Sequence, residues 1–265
     1  MNKLQKIKKI LKKMGSVLIA YSGGVDSTLL LKLARDVLGG EVLAVTAVSP
    51  TYPQDELIFS KIMARNLGVK QRVIKTCELK NRQFIVNRSN RCYFCKKELF
   101  RRLKEIAKKK NIKFVIDATN LSDNNDFRPG SIAKKELGIR SPLAEAGFTK
   151  ADIRKISKRL KLPTWNKPAL ACLASRIAYG EKISVPLLNK INQAEAFLKR
   201  QGFIQVRLRH YNGLCRLEMT PKDILLAVQK RGLITRKMKQ LGYNYVTLDL
   251  EGYRTGSMNE VLKKA

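Results

Sequence analysis

Four short apolar runs rich in β-branched residues punctuate the first half of the chain: SVLIAY (16–21), EVLAVTAV (41–48), KQRVIKT (70–76) and KFVIDA (113–118). Their length and composition predict strands, and the segments between them repeat apolar positions at the spacing of a helix packed on one face. After the first run, Leu30, Leu33, Ala34 and Val37 fall on one such face. Strand and helix in alternation predict an α/β fold, a parallel sheet with helices on both sides.

A further helix is expected from about 150, where Thr149 and Asp152 have capping-box spacing, and it ends before Pro163. After PALACLASRIAYG (168–180) the texture changes. A helix around 186–200, the strands FIQVRLRHY and CRLEM, a helix around 221–231 and a last strand YVTLDL predict a smaller α+β unit. The expected organisation is a first domain over 1–180 and a C-terminal domain over 181–265, which suits a chain of 265 residues. No internal repeat or low-complexity tract interrupts it.

Composition adds that 44% of the residues are hydrophobic, enough for a packed core. No apolar run approaches the roughly 18 residues needed to cross a membrane. The start, MNKLQKIKKILKKMGSVLIAYSGG, is basic like a signal peptide, but its apolar stretch is short and runs into a glycine loop. The expectation is a cytoplasmic protein without membrane contact. Lys and Arg total 54 against 21 acids, a net charge of +33, which points to an anionic partner such as RNA, a nucleotide or a phosphate. The basic residues recur in nearly every amphipathic segment (3–13, 96–113, 150–161, 199–209, 228–239), which equally describes a lysine-rich solvated surface.

The most specific stretch is YSGGVDST (21–28), placed between the first strand and the first helix, where ligands bind at the carboxyl ends of parallel strands. Gly23 and Gly24 allow a tight turn whose N–H groups, with the helix N-terminus, suit a phosphate oxyanion. Ser22 and Ser27 add hydroxyls, and Asp26 is placed to hold Mg2+ against a pyrophosphate. Ala20, Val25, Thr46 and Asn120 complete the expected nucleotide-binding set. No lysine follows the glycines at Walker-loop spacing. The order S-G-G-x-D-S instead resembles the PP-loop ATP pyrophosphatases, which cleave ATP between the α and β phosphates and use AMP to activate a substrate oxygen.

The nucleophile that would displace AMP directs attention to five cysteines. RCYFCK (91–96) carries Cys92 and Cys95 as a C-x-x-C before a helix, a spacing shared by zinc sites, redox couples and cluster cradles. A second C-x-x-C is absent and His210 is the only histidine, which argues against zinc. Cys172 lies in LACLAS; Cys77 and Cys215 lie in apolar settings and read as core residues.

The stretches YSGGVDST, NRCYFCKKELF, DATNLSDNNDFRPG, SPLAE, PALACLASRIAYG, VRLRHYNGLCRLE and DLEGYRTGSMNE, in this order, resemble the LarE-type ATP-dependent sulfur transferases over essentially the whole chain. The resemblance implies adenylation of the carboxylates of pyridinium-3,5-biscarboxylic acid mononucleotide and their conversion to thiocarboxylates, on the way to a nickel-pincer nucleotide. It implies ATP and Mg2+ as cofactors, and a 4Fe-4S cluster on Cys92, Cys95 and Cys172 in members with all three cysteines. Where only the equivalent of Cys172 is present, the resemblance implies that this residue gives up its own sulfur. With the cluster, a sulfide or a sulfur-donor protein is an implied partner, and the resemblance also implies a homo-oligomer. A tRNA thiolase and an amide-forming PP-loop synthetase are the alternatives, and nucleic acid is not the expected partner.

Around this core, Arg176, Arg207 and Arg209 suit a mononucleotide phosphate and two carboxylates, since a guanidinium binds such groups with paired hydrogen bonds. Arg176 joins Cys172 and Asp26 as an expected catalytic residue. Asp117 ends the fourth strand, and Ala118 stands where the family commonly has glycine. Asn120, Asp123, Asp126 and Arg128 form a polar loop fit to position substrate or metal, or simply to cap turns. Glu218 and Asp249 suit a cation or nearby arginines. Trp165 is expected in the core, and His210, at a strand end, carries no catalytic assignment.

Overall fold

A computed structural model of the chain describes residues 2–125, 129–169 and 171–262. It divides into two compact units, Met1–Glu78 with Asn90–Leu170, and Leu79–Ser89 with Ala171–Ala265. The division falls earlier than the change of sequence texture near 180. Buried Asn87 explains this: its amide donates to the Ala178 carbonyl (2.7 Å), and the Ile183 N–H donates to Ile85 (2.9 Å). Residues 177–183 are thereby tied to the 79–89 segment.

In chain order the elements are α1 (Lys3–Met14), β1 (Val17–Ala20), α2 (Val25–Leu38), β2 (Val42–Val48), α3 (Gln54–Asn66) and β3 (Lys70–Lys75). The short α4 (Arg82–Ile85) belongs to the second unit; α5 (Arg91–Lys109), β4 (Phe114–Ile116), α6 (Gly130–Glu136), α7 (Pro142–Glu145) and α8 (Lys150–Arg159) complete the first. Its sheet has the order β3-β2-β1-β4 with every neighbouring pair parallel, as the strand-helix alternation predicts.

The two-residue period of the strands divides the core between the sheet's faces. Val17, Ile19, Val42, Ala44 and Ile116 pack with Ile7 and Leu11 of α1, Leu29, Leu30 and Leu33 of α2, and Ile153 of α8. Leu18, Val45 and Val115 point the other way, onto Phe100, Leu103 and Ile106 of α5. Only the edge strand β3 departs from this burial. It is largely exposed and carries Lys70, Arg72 and Lys75, charges that discourage pairing with another strand. The capping box of α8 forms as its sequence predicts, Thr149 accepting from the Asp152 N–H and Asp152 from the Thr149 N–H.

From β1 the chain builds outward through β2 to β3, then returns to place β4 on the other side of β1. The loops after β1 and β4 therefore flank a topological switch point, the crevice where open parallel sheets take ligands.

The second unit holds α9 (Val185–Arg200), β5 (Val206–Tyr211), β6 (Leu214–Met219), α10 (Ile224–Gln229), α11 (Arg231–Gln240) and β7 (Tyr245–Leu248). Its sheet has the order β5-β6-β7, with β5 antiparallel and β7 parallel to β6. Asn212 and Gly213, at φ 33° and 91°, make the tight β5-β6 turn in the conformation that Asn-Gly favours. Leu188, Ile191, Ala194 and Leu198 form the buried stripe of α9. The single helix expected over 221–231 is instead a 3-10 turn, Pro221–Asp223, followed by α10. A separate α11 begins after Lys230, whose backbone (φ −88°, ψ 12°) interrupts the helix. No helix among the described residues is long and apolar enough to cross a membrane.

Candidate active site

The loop after β1 is fixed by side chains from three neighbouring elements. Gly23 sits at φ 72°, and a Cβ there would lie 2.9 Å from Ser60 Cβ of α3, so the turn requires glycine on both counts. Thr46 of β2 donates to the Tyr21 carbonyl (2.8 Å) and accepts from Gln71 Nε2 of β3 (2.7 Å). The Tyr52 hydroxyl donates to the Ser22 carbonyl (2.8 Å). Burial pushes the phenols of Tyr21 and Tyr52 up, so both keep their protons. The Ser22 and Ser27 hydroxyls lie 3.2 Å apart, and Gly24 N–H points at Ser22 Oγ (3.4 Å). Ala20 and Val25 bracket the loop as the last strand residue and the first helix residue. Backbone donors, two hydroxyls and a helix start converge here, the composition of an oxyanion cradle.

Asp26, in the first turn of α2, is held from the loop after β4. Asn120 Nδ2 donates to its Oδ1 (3.3 Å), and the Lys150 ammonium, at the first position of α8, pairs with Oδ2. Lys167 reaches the same loop, its Nζ 3.4 Å from the Gly23 carbonyl, 2.6 Å from Glu56 Oε2 and 3.6 Å from the centre of the Phe59 ring. Neither lysine stands out in the sequence, since nothing local separates them from the other basic residues. Asp117 accepts from Thr119 Oγ1 (2.7 Å) and from the Ser141 hydroxyl, with Lys134 at 3.8 Å. Ala118 packs against the core, and Asp123 accepts from the Asn120 N–H (3.0 Å). Asp126 and Arg128 lie outside the described residues. Trp165 is 37% exposed rather than a core residue; the Lys158 ammonium covers its ring at 4.8 Å.

Cys92 and Cys95 lie one turn apart at the start of α5, the first exposed and the second half-buried. Gly130 brings the start of α6 against this turn: a Cβ there would meet Lys96 Cγ at 2.9 Å. Cys77 is not the apolar core residue that its flanking sequence suggests. It is half-buried, Arg102 Nη2 lies 3.8 Å from its sulfur, and its N–H donates to Glu98 (2.8 Å). Cys215 is fully buried, and that burial pushes its thiol up to about 11.

In the second unit, exposed Cys172 caps the 3-10 turn Leu173–Arg176, and Arg176 reaches back to hold it. Arg176 Nη1 donates to the carbonyls of Ala171 (2.9 Å) and Cys172 (3.1 Å), while Nε and Nη2 form a two-point pair with Glu195 of α9 at 2.9 and 3.0 Å. Burial works against both charges, yet their mutual attraction prevails: Arg176 is held above its ordinary value and Glu195 below. Arg209 pairs with Glu218 (2.7 Å) and also donates to the Ser257 hydroxyl (3.0 Å) and the Ser175 carbonyl (3.1 Å). Arg216 joins Glu218 to Asp249, and Arg254 joins Asp249 to Glu260. Both carboxylates, Glu218 and Asp249, are thus engaged by arginines. Arg207 donates to the Val206 carbonyl and stacks 5.5 Å from the Tyr253 ring; burial and the neighbouring Arg176 charge lower its pKa. His210 lies 3.4 Å from Glu181, and burial with nearby Lys190 favours its neutral form. The structure therefore gathers Arg176, Arg207 and Arg209 around the Cys172 turn, Arg176 paired with Glu195 and Arg209 with Glu218.

Among the described residues no group of three or more His, Cys, Asp or Glu side chains is assembled as a metal site. Asp26 at the loop suits Mg2+, which characteristically takes one or two carboxylates and draws its other ligands from phosphate and water. The thiols of Cys92, Cys95 and Cys172, all reached by solvent, have the soft chemistry of iron–sulfur ligands.

No family model matches the chain. It is 44% identical over 265 residues to an uncharacterised protein of Synechocystis, covering 99% of both chains. It is 37% identical over 256 residues to the pyridinium-3,5-bisthiocarboxylic acid mononucleotide synthase of Lactiplantibacillus plantarum, covering 96% of this chain and 93% of that one. An uncharacterised protein of Methanocaldococcus jannaschii is 34% identical over 258 residues, covering 96% and 98%.

Proposed function

The chain belongs to the family of pyridinium-3,5-bisthiocarboxylic acid mononucleotide synthases, the LarE-type sulfur transferases, and we propose that it is itself an ATP-dependent sulfur transferase acting on the carboxylates of a pyridinium mononucleotide. The observation that carries the ATP half of this reading is the loop at the switch point. Gly23, Gly24, Ser22 and Ser27 present donors there, and Asn120 orients Asp26 from across the crevice. ATP is bound with its phosphates on this loop and Mg2+ on Asp26. A substrate carboxylate oxygen attacks the α-phosphorus, pyrophosphate leaves, and the carbonyl now carries AMP as leaving group. A sulfur nucleophile then attacks that carbonyl and AMP departs, giving the thiocarboxylate.

The sulfur half draws on the cysteines. We assign Cys92, Cys95 and Cys172 as the residues that would hold a 4Fe-4S cluster; with three protein thiolates, its fourth iron would be open to bind a sulfide delivered from outside the protein, renewed after each transfer. In this reading Arg176 is a positioning residue. It holds the Cys172 carbonyl and presents the thiol at a fixed place, while Arg207 and Arg209 contribute positive charge for the anionic substrate.

The test is anaerobic purification with iron and acid-labile sulfide assays, repeated with Cys92, Cys95 and Cys172 changed singly to Ala. Product is followed with ATP and the biscarboxylate mononucleotide. Loss of cluster in all three variants supports the assignment. Iron-free protein that turns over once, with Cys172 losing its sulfur, replaces it with sacrificial donation. Amide or thiolated tRNA as product would move the chain to another PP-loop activity.

A further inference from the structure

Asp26 is paired with a cation of the protein itself. The Lys150 ammonium sits on Oδ2, and Asn120 occupies Oδ1. The backbone of Lys150 is anchored independently of its side chain: its N–H donates to Ser122 Oγ (3.1 Å), and the preceding residue, Thr149, caps α8. The four-carbon stem is therefore free to swing about a pinned Cα, and the side chain remains about a third exposed.

We propose that Lys150 is a place-holding cation for the nucleotide site: it neutralises Asp26 while the loop is empty and transfers to the triphosphate when Mg2+ takes the carboxylate. The proposal rests on the nucleotide reading above and deepens it. The ammonium on Asp26 Oδ2 takes up part of the carboxylate's charge and its nearest lone pair, so Lys150 and a divalent ion compete for Asp26. Metal alone must displace Lys150 without compensation, whereas metal arriving with ATP brings phosphate oxygens on which the ammonium finds a new partner. The charge at the loop stays balanced in both states, and metal and nucleotide bind cooperatively, since each favours the arrangement the other needs. No proton or electron changes place; one ion pair is exchanged for two.

The prediction has two parts of opposite sign, which misfolding cannot produce together. Mn2+ binding to the nucleotide-free protein, read by electron paramagnetic resonance, should be weak in the wild type and up to about fivefold tighter in Lys150→Met, because an ion pair of this exposure contributes up to about that factor. ATP binding measured by calorimetry in EDTA should weaken by a similar factor in Lys150→Met and be retained in Lys150→Arg. Lys150→Gln serves as a second neutral variant, and adding Asp26→Asn to Lys150→Met should erase the gain in Mn2+ affinity. If both neutral variants bind Mn2+ no better than the wild type, the place-holder role is wrong. If the wild type fails to bind ATP even with Mg2+, the nucleotide reading falls first and this inference with it.

Discussion

Arg176 and Glu195 meet as a two-point ion pair at 2.9 and 3.0 Å with both side chains almost sealed from water, at 3% and 5% exposure. The pair joins the Cys172 turn to α9, because the remaining guanidinium nitrogen holds the Ala171 and Cys172 carbonyls. Removing Glu195 alone strands a buried charge. Glu195→Ala should cost about 3–5 kcal/mol in urea denaturation. The double variant Arg176→Met with Glu195→Leu should lose less than either single change, since neither leaves an unpaired ion behind. Additive losses would show that the two residues act separately.

Gly23 gives a prediction in which two costs fall on one residue. At φ 72° an alanine pays about 1–2 kcal/mol for the left-handed backbone, and its Cβ would press on Ser60 Cβ at 2.9 Å. Gly23→Ala should therefore lower thermal stability and weaken ATP binding. Adding Ser60→Gly should relieve the clash but not the backbone cost, so recovery should be partial. Full recovery would mean that the backbone conformation is unimportant there.

The loop and its sheet are legible in the sequence because their causes are local. Apolar runs of period two make the strands, and glycines and hydroxyls in a fixed order make the turn. What reaches the loop from afar is not legible. Lys150 and Lys167 come from segments more than a hundred residues along the chain, and in a chain so rich in lysine neither has a local mark. Arg176 reads as a substrate ligand until α9 brings Glu195 beside it. Cys77 reads as core until a turn of α5 lays Arg102 over its sulfur. Trp165 shows the converse: the lone tryptophan of the chain, close before Cys172, reads as core, whereas it is partly exposed and a lysine covers its ring.

Asp152 ties the start of α8 to α1 through Lys3 at 2.6 Å. The Lys3 hydrogen bond, aided by Thr149, lowers its pKa from 3.8 to about 2. The folded value lies below the unfolded one, so this contribution is complete above about pH 4. It fades as the pH falls toward 2. Stability curves for Asp152→Asn should be flatter than the wild type across that interval and parallel to it at neutral pH. Equal slopes between pH 4 and 2 would remove Asp152 from the acid response. Lys3→Met should shift the carboxyl back toward its ordinary value, visible by NMR titration.

The thiols should separate by environment in protein prepared without iron. Cys92 and Cys172 are exposed, Cys77 and Cys95 are half-buried, and Cys215 is buried in the second unit with its pKa pushed up to about 11. At pH 8 only about one Cys215 in a thousand would be thiolate even if a reagent reached it. Iodoacetamide followed by peptide mapping should therefore modify Cys92 and Cys172 first, and Cys215 only after denaturation. The order matters for the chemistry. A cysteine that binds iron or delivers sulfur must be reachable by its donor, whereas a thiol kept protonated by burial serves packing alone. Labelling of Cys215 as fast as Cys92 in the folded protein would show that the second unit opens on the timescale of the reaction, and Cys215 would then have to be counted among the thiols open to sulfur chemistry.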